Sequence, residues 1–389
     1  MTHRGLSATD IRKRNRFGLL SLVHRNGAIA RNDLASSIGL TRASVTILVG
    51  ELLEEGLIVE AGSSGGNGKA GRRKIFLRIR NEAGKLLGVG IDQERIQVLV
   101  SDLGGTVLGV RNLSLPRILR GAEPGTVFAK AAAQAVSELL GGEAAAAAGV
   151  LGAGVGVTGR VDPDSGLSLR EPRLWEGTVA IREPFEAALG VPVSVNNNVR
   201  ALSVAELLLT DMKKSPPAGL LLVKYGPGVG AAWTPGGLPW SGAHNRAGEL
   251  GHTFVAADGP PCPYCGRRGC LESLVSAQAL GLALSMQGST VETLCAALSL
   301  RDPEAFALLA SRFARALGNA IELCDPSVVT LYGLAFRDSA LFSEVARRVE
   351  ANDRPCEIKR SGLDPEFPAL GGVALALERF FQGGGTIGK

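Results

Sequence analysis

Three cysteines and one histidine crowd into nineteen residues: His252, Cys262, Cys265 and Cys270. Thiolate sulfur and imidazole nitrogen are donors that zinc prefers, and four of them close a tetrahedral structural site. Gly266 and Gly269 let the chain turn back between the last ligands. Four protein donors leave no open position for water, which argues against a zinc hydrolase. The alternative is three buried free thiols beside an unrelated histidine. Half of the chain's six cysteines lie in this one turn, which favours the metal site. Cys295, Cys324 and Cys356 are scattered and read as core or incidental. A disulfide is disfavoured, because no signal-peptide pattern opens the sequence and a reducing cytoplasm is the expected compartment.

The flanks of this run carry more chemistry. Upstream stands Ala247-Gly248-Glu249-Leu250-Gly251-His252, and downstream Cys270-Leu271-Glu272. Together these strings resemble the signature of the ROK family of repressors, open reading frames and sugar kinases. The family spacing is C-x-C, whereas Pro263 and Tyr264 separate Cys262 from Cys265 here. The resemblance runs from about Ile11 to about Phe381. It implies an actin-like, two-lobed α/β fold of the sugar-kinase type. It also implies that His252 both ligates zinc and reaches a sugar, with Glu249 and Glu272 binding sugar hydroxyls.

Three parts of the kinase machinery are altered. The D-x-G-G-T phosphate turn reads Asp92-Gln93-Glu94-Arg95-Ile96, without either glycine or the threonine, and Glu94 would repel phosphate. The E-N-D-A-N-A segment reads Asn196-Asn197-Asn198-Val199-Arg200-Ala201, so Asn198 stands where the kinases carry a carboxylate base. An amide hydrogen-bonds a hydroxyl but takes no proton from it. The second turn, G-T-G-x-G, reads Gly226-Pro227-Gly228-Val229-Gly230, and Pro227 removes one backbone donor. Tyr332 also replaces a glycine where the kinases meet adenosine. Asn197, Asn198, Glu249, His252 and Glu272 thus read as a sugar pocket without phosphoryl transfer. Arg173 stands where the family has asparagine, and faces either an acidic or phosphorylated sugar or solvent. The resemblance then implies a sugar-responsive regulator, since the family includes repressors for xylose and N-acetylglucosamine. The alternative is a sugar kinase with an N-terminal extension.

Elements must position these groups, and the first eighty residues form a separate unit. They hold fourteen Lys/Arg against six Asp/Glu, while the whole chain of 389 residues carries only +5. The rest is therefore mildly acidic, and a basic module on an acidic body suits phosphate binding. A basic solvated face is the plainer reading of charge alone. Ile11, Phe17, Leu20 and Val23 follow helical spacing up to Asn26-Gly27. A second helix spans about Arg31 to Ile38 with Leu34 and Ile38 inward. A third starts near Thr41, turns Val45, Leu48 and Leu52 inward, and stops at Gly56. Strands at 57–60 and 72–77 flank a glycine-rich tip, completing a winged helix-turn-helix. Thr41, Arg42, Ser44 and Thr46 lie where a recognition helix enters the major groove. Arg42 suits either a guanine edge or a phosphate. Arg72, Arg73 and Lys74 suit phosphates or a minor groove. A protein-binding winged helix is the competing reading. A homodimer or dimer of dimers would read an imperfect palindromic operator.

The expected division is a DNA-binding module at 1–80 and a sugar-binding body at 81–389. Lobe 1 covers about 81–196 plus a returning helix within 371–389, and lobe 2 about 197–370. Hydrophobic content of 45% and charged content of 20% are ordinary for a globular protein. No membrane span is expected.

Overall fold

The computed structural model describes residues 7–64, 74–118, 120–257, 259–337, 340–351 and 355–386. Helix α1 (Ala8–Asn26) starts at a Ser7–Asp10 capping box. Strand β1 (Ile29–Ala30), helix α2 (Arg31–Ile38) and helix α3 (Arg42–Glu54) follow, then strands β2 (Ile58–Ser64) and β3 (Lys74–Ile79). Leu19, Leu20, Val23, Leu34, Val45, Leu48 and Leu52 are buried together, so the helical spacing picks the core faces correctly. Ile11 is the exception at 47% exposure, in a first half of α1 whose residues 8–14 are all exposed. The wing sheet has order β1-β3-β2. Its two-residue strand β1 is too short to leave an alternating pattern. Strand β2 runs past the expected hairpin start and shifts register between Glu60 and Ser63. Arg72 and Arg73 lie outside the described residues.

The body contains two main sheets. The first has order β11-β7-β4-β5-β6. It is built from β4 (Lys85–Ile91), β5 (Arg95–Asp102), β6 (Val107–Ser114), β7 (Val150–Val157) and β11 (Val193–Asn197). Helix α4 (Pro124–Leu139) packs on it; the small sheet β8 (Arg160–Asp162), β9 (Leu167–Arg170) and β10 (Val179–Ala180) and helix α5 (Arg182–Leu189) adjoin. After α6 (Asn198–Leu209), the second sheet comprises β12 (Gly219–Tyr225), β13 (Val229–Pro235), β14 (Val328–Tyr332) and β15 (Glu357–Arg360), in the order β13-β12-β14-β15. Helices α7 (Leu271–Val275), α8 (Ala277–Ala283), α9 (Val291–Arg301), α10 (Pro303–Cys324), α11 (Leu334–Arg337) and α12 (Ala340–Glu350) belong to the second lobe. The last helix, α13 (Leu370–Gln382), returns to the first sheet as expected. None of these helices alone is long and apolar enough to cross a membrane.

Helices α6 and α13 pack on each other and connect the cores. Val199, Leu202 and Ala205 of α6 join Leu222 and Ala232 of the second sheet, residues of α13, and Leu19, Leu20 and Val23 of α1 in one cluster. Burying each such leucine or valine contributes about 1.5–3 kcal/mol. The N-terminal module is therefore docked on the body. Arg16 Nε donates to Gly384 O (2.6 Å), just beyond α13. Its guanidinium also pairs with Glu51 (3.2 Å) and with Glu55. His24 Nε2 donates to Leu208 O (2.8 Å) near the end of α6.

Candidate functional site: a polar cleft beside a Cys3His cluster

Both ends of the cysteine-rich run are tied by backbone bonds. Cys262 N donates to Arg267 O (2.8 Å), Gly266 N to Cys262 O (2.8 Å), and Val255 N to Gly269 O (2.8 Å). Gly269 has φ 73°, and a Cβ there would stand 1.8 Å from Ala256 O, so only glycine fits this close approach. The fold-back brings ligand atoms of His252, Cys262, Cys265 and Cys270 within 4.8 Å of one another. A regular tetrahedron with 2.3 Å metal–sulfur bonds has edges of about 3.8 Å. Cys262 Sγ and His252 Nδ1, 3.7 Å apart, match that spacing. Cys262 and Cys270 are buried, His252 and Cys265 half-buried, and the donor set is soft. The four residues therefore form a cluster able to hold a metal ion. The extra residue between the first two cysteines does not prevent it.

The other imidazole nitrogen points elsewhere. His252 Nε2 lies 3.7 Å from Glu249 Oε2. The ring stacks on Tyr264, with centroids 4.8 Å apart and planes 2° from parallel. Arg170 caps that tyrosine at 5.6 Å. Burial pushes the Tyr264 phenol up to about 12, so it stays a neutral hydroxyl.

Glu249, His252 and Tyr264 form one wall of a cleft of about 800 Å³, counting its open mouth. Asn197, Asn198 and Glu272 also line it, so the expected sugar residues are brought together. Their roles divide. Asn197 Oδ1 caps α6 by accepting from Val199 N (2.9 Å) and Arg200 N (3.2 Å), while its Nδ2 donates to Gly159 O (2.8 Å). Its side chain is committed to holding the helix start, and Asn198, one residue on, lines the cleft. Glu272 Oε2 accepts from Val229 N (3.1 Å), and Oε1 accepts from Arg173 Nη2 (3.2 Å). Arg173 is exposed yet engaged: it crosses to Glu272 and also reaches Gln93 Oε1 (2.5 Å). Neither partner is legible from a sequence in which Arg173 and Glu272 stand 99 positions apart.

The cleft contains further groups that motif reading passes over. Glu171 is only 2% exposed and accepts from Arg173 N (3.3 Å). Burial raises its pKa. Lys224 on β12 has a lowered pKa from burial, opposed by Asp92 and Glu94. Arg200 is buried, and its Nη2 holds the carbonyls of Ser241, Asn245 and Ala247 at 3.0–3.3 Å. It fixes the loop that precedes Glu249.

The turns at Asp92 and Gly226 both have amides bound within the protein. Asp92 Oδ1 accepts from Glu94 N (2.9 Å) and Arg95 N (3.0 Å), so the turn amides face their own carboxylate. In the second turn, Val229 N is taken by Glu272, and Gly228 leaves room for it: a Cβ there would stand 2.6 Å from Glu272 Oε2. Tyr332 is buried, with its hydroxyl 3.4 Å from Pro365 O.

In the N-terminal module, Thr41 caps α3 by accepting from Ser44 N (3.2 Å), and the two hydroxyls lie 2.9 Å apart. Arg42 and Thr46 are exposed, as expected for a recognition face. Ile47, not singled out by the pattern, is 62% exposed on the same helix. Lys74 sits 3.6 Å from Asp33. Arg12 and Arg16 turn to Glu51 and Glu55, so part of the basic excess is spent inside the fold.

Both parts of the chain have counterparts among known proteins. Residues 86–379 match the family model "ROK family". Residues 12–59 match "Winged helix-turn-helix DNA-binding". The chain is 24% identical over 386 residues to the xylose repressor of Bacillus subtilis, covering 96% of this chain and 97% of that protein. It is 25% identical over 394 residues to NagC of Escherichia coli, a DNA-binding transcriptional dual regulator, covering 96% and 94%. The crystal structure of a ROK family transcriptional regulator, a homolog of the E. coli MLC protein, superposes with TM-score 0.79 at 22% identity. That match covers 97% of this chain and 98% of the other, and it shows the shared fold. With an N-terminal winged helix-turn-helix docked on a two-lobed actin-like body, the chain belongs to the ROK family.

Proposed function

We propose that this protein is a sugar-responsive transcriptional repressor of carbohydrate-metabolism genes, with a zinc-stabilised sugar pocket and no kinase activity. The observation that carries the reading is the pairing of a DNA-binding fold with two turns in which Asp92 takes the amides of Glu94 and Arg95 and Glu272 takes that of Val229. Asn198 supplies no base at the position where a kinase needs one. Relatives that match this chain nearly end to end are named xylose repressor and N-acetylglucosamine repressor.

In this reading residues 1–80 bind DNA and residues 81–389 bind the effector, a sugar or sugar phosphate. Zinc is held by His252, Cys262, Cys265 and Cys270 and fixes the wall of the pocket. Held by zinc through Nδ1, the imidazole of His252 is left facing the cleft with Nε2. Asn198, Glu249, His252 and Glu272 bind hydroxyls, and Asn197 positions Asn198. A cleft so rich in buried polar groups discriminates well, because an unmatched hydroxyl leaves them unpaired. The module reads DNA through Arg42 and Thr46, with Thr41 and Ser44 setting the helix start. Arg72, Arg73 and Lys74 contact phosphates. A symmetric dimer presents two such modules to an imperfect palindrome. A coupled assay with ATP and a panel of sugars should stay at background. Turnover that survives repurification and vanishes in Asn198→Ala would overturn the reading in favour of a kinase.

A further inference from the structure

We propose that helix α6 is the relay between the effector cleft and the DNA-binding module, with His24 the positioning residue that receives its motion. This rests on the cleft being a sugar site. Helix α6 has 12 residues, about 18 Å of stiff rod. Its first turn lies in the cleft, where Asn197 caps it and Asn198 lines the ligand space.

Along its length the helix is pinned to the second lobe. Ser203 Oγ lies 3.0 Å from Thr234 Oγ1 on β13. Glu206 is buried and accepts from Gly362 N (2.9 Å) and from Ser361 Oγ, beyond β15. The other flank of α6 lies on α13, which packs on the first-lobe sheet. Lobe closure therefore cannot leave α6 unmoved with respect to both lobes.

The far end touches the N-terminal module. Helix C-termini leave carbonyls without intrahelical partners. Here the Leu208 carbonyl accepts from Nε2 of His24, which is 4% exposed. The same ring meets Phe381 of α13 edge-on at 5.4 Å. One imidazole thus reads the end of α6 and the flank of α13 together. A shift of about 0.8 Å would already take the 2.8 Å bond out of hydrogen-bonding range. From α1 the contact continues to the recognition helix. Arg16 is bound at once to Gly384 O, to Glu51 of α3 and to Glu55 just after it. This is a path of discrete hydrogen bonds, each made or broken, rather than mere proximity.

Hydrogen exchange on the full-length protein tests the relay. The probes are D-xylose, N-acetyl-D-glucosamine and N-acetyl-D-glucosamine 6-phosphate, each at saturating concentration. A probe that binds should protect residues 197–200 and 249–272. It should also change exchange in the C-terminal half of α1 by about fivefold or more, the lower end of ordinary allosteric coupling. His24→Ala should keep the cleft protection and lose the change in α1, and His24→Gln, which restores a donor, should recover it. Cleft protection with α1 unaltered in the wild type would overturn the relay. So would an α1 response as large in His24→Ala as in the wild type. If His24→Ala does not fold, the wild type and His24→Gln still decide, because both must transmit the change. A cleft that no probe protects would instead sink the sugar reading itself, and the relay with it.

Discussion

At the residue scale, one histidine serves two masters. His252 offers Nδ1 to the cysteine cluster and Nε2 to Glu249 and the cleft. A metal held at Nδ1 fixes the ring and its tautomer, and stacked Tyr264 holds its plane. Metal and sugar should nevertheless be separable by substitution. Protein purified without added zinc should contain about one zinc per chain. Glu249→Gln should abolish the effector's influence on DNA while leaving zinc content and effector-free DNA affinity unchanged. A variant that responds as the wild type does would show that the pocket has been misplaced. The clustering of His252, Cys262, Cys265 and Cys270 was legible in the sequence, because metal chemistry constrains residue type and spacing together. The Arg173–Glu272 bridge was not, because it forms only when the lobes meet across the cleft.

At the element scale, positions read as binding groups prove to be structural supports. Asn197 looks like a sugar ligand in a motif, yet in the fold it is the N-cap of α6. Asn197→Ala should destabilise the protein by about 0.5–2 kcal/mol, the usual cost of losing a cap. It should also weaken effector binding indirectly, through misplacement of Asn198. Calorimetry of effector binding alongside thermal unfolding would check both; unchanged stability would contradict the capping role. Helices were the most legible elements. Helix α3 follows its Thr41 cap and the Val45–Leu48–Leu52 spacing, and α12 runs over the expected span from Ala340 to Glu350. Strand β1 was missed because two residues carry no period. The extension of β2 was missed because Gly62 reads as loop until a bulge accommodates it.

At the scale of the whole molecule, the DNA-binding module is held to its body by buried polar contacts as well as by an apolar seam. That interface predicts a pH dependence. Burial holds His24 at about 4, below its usual 6.5; Lys213 adds to the depression and the Leu208 contact opposes it. The unfolded or undocked state therefore binds the proton more readily. Stability should be full above about pH 6.5 and fall as pH drops towards 4, losing about 3 kcal/mol in all. Comparing urea unfolding of the wild type and His24→Gln across that range isolates this contribution from the carboxylates. Parallel curves for the two proteins would contradict it. None of this was visible in the sequence, since His24 and Leu208 stand 184 positions apart and meet only by docking.

In the proposed reading, a sugar bound in the cleft governs sequence-specific DNA binding. Selection of full-length protein on a random duplex pool, followed by elution with the sugar panel, tests it most directly. The expected result is recovery of two related half-sites about one helical turn, or a multiple of it, apart. At least one sugar should shift their affinity by about 5- to 150-fold, in the ordinary range of allosteric coupling. Recovery of no preferred sequence, or of a sequence whose binding no sugar alters, would contradict it.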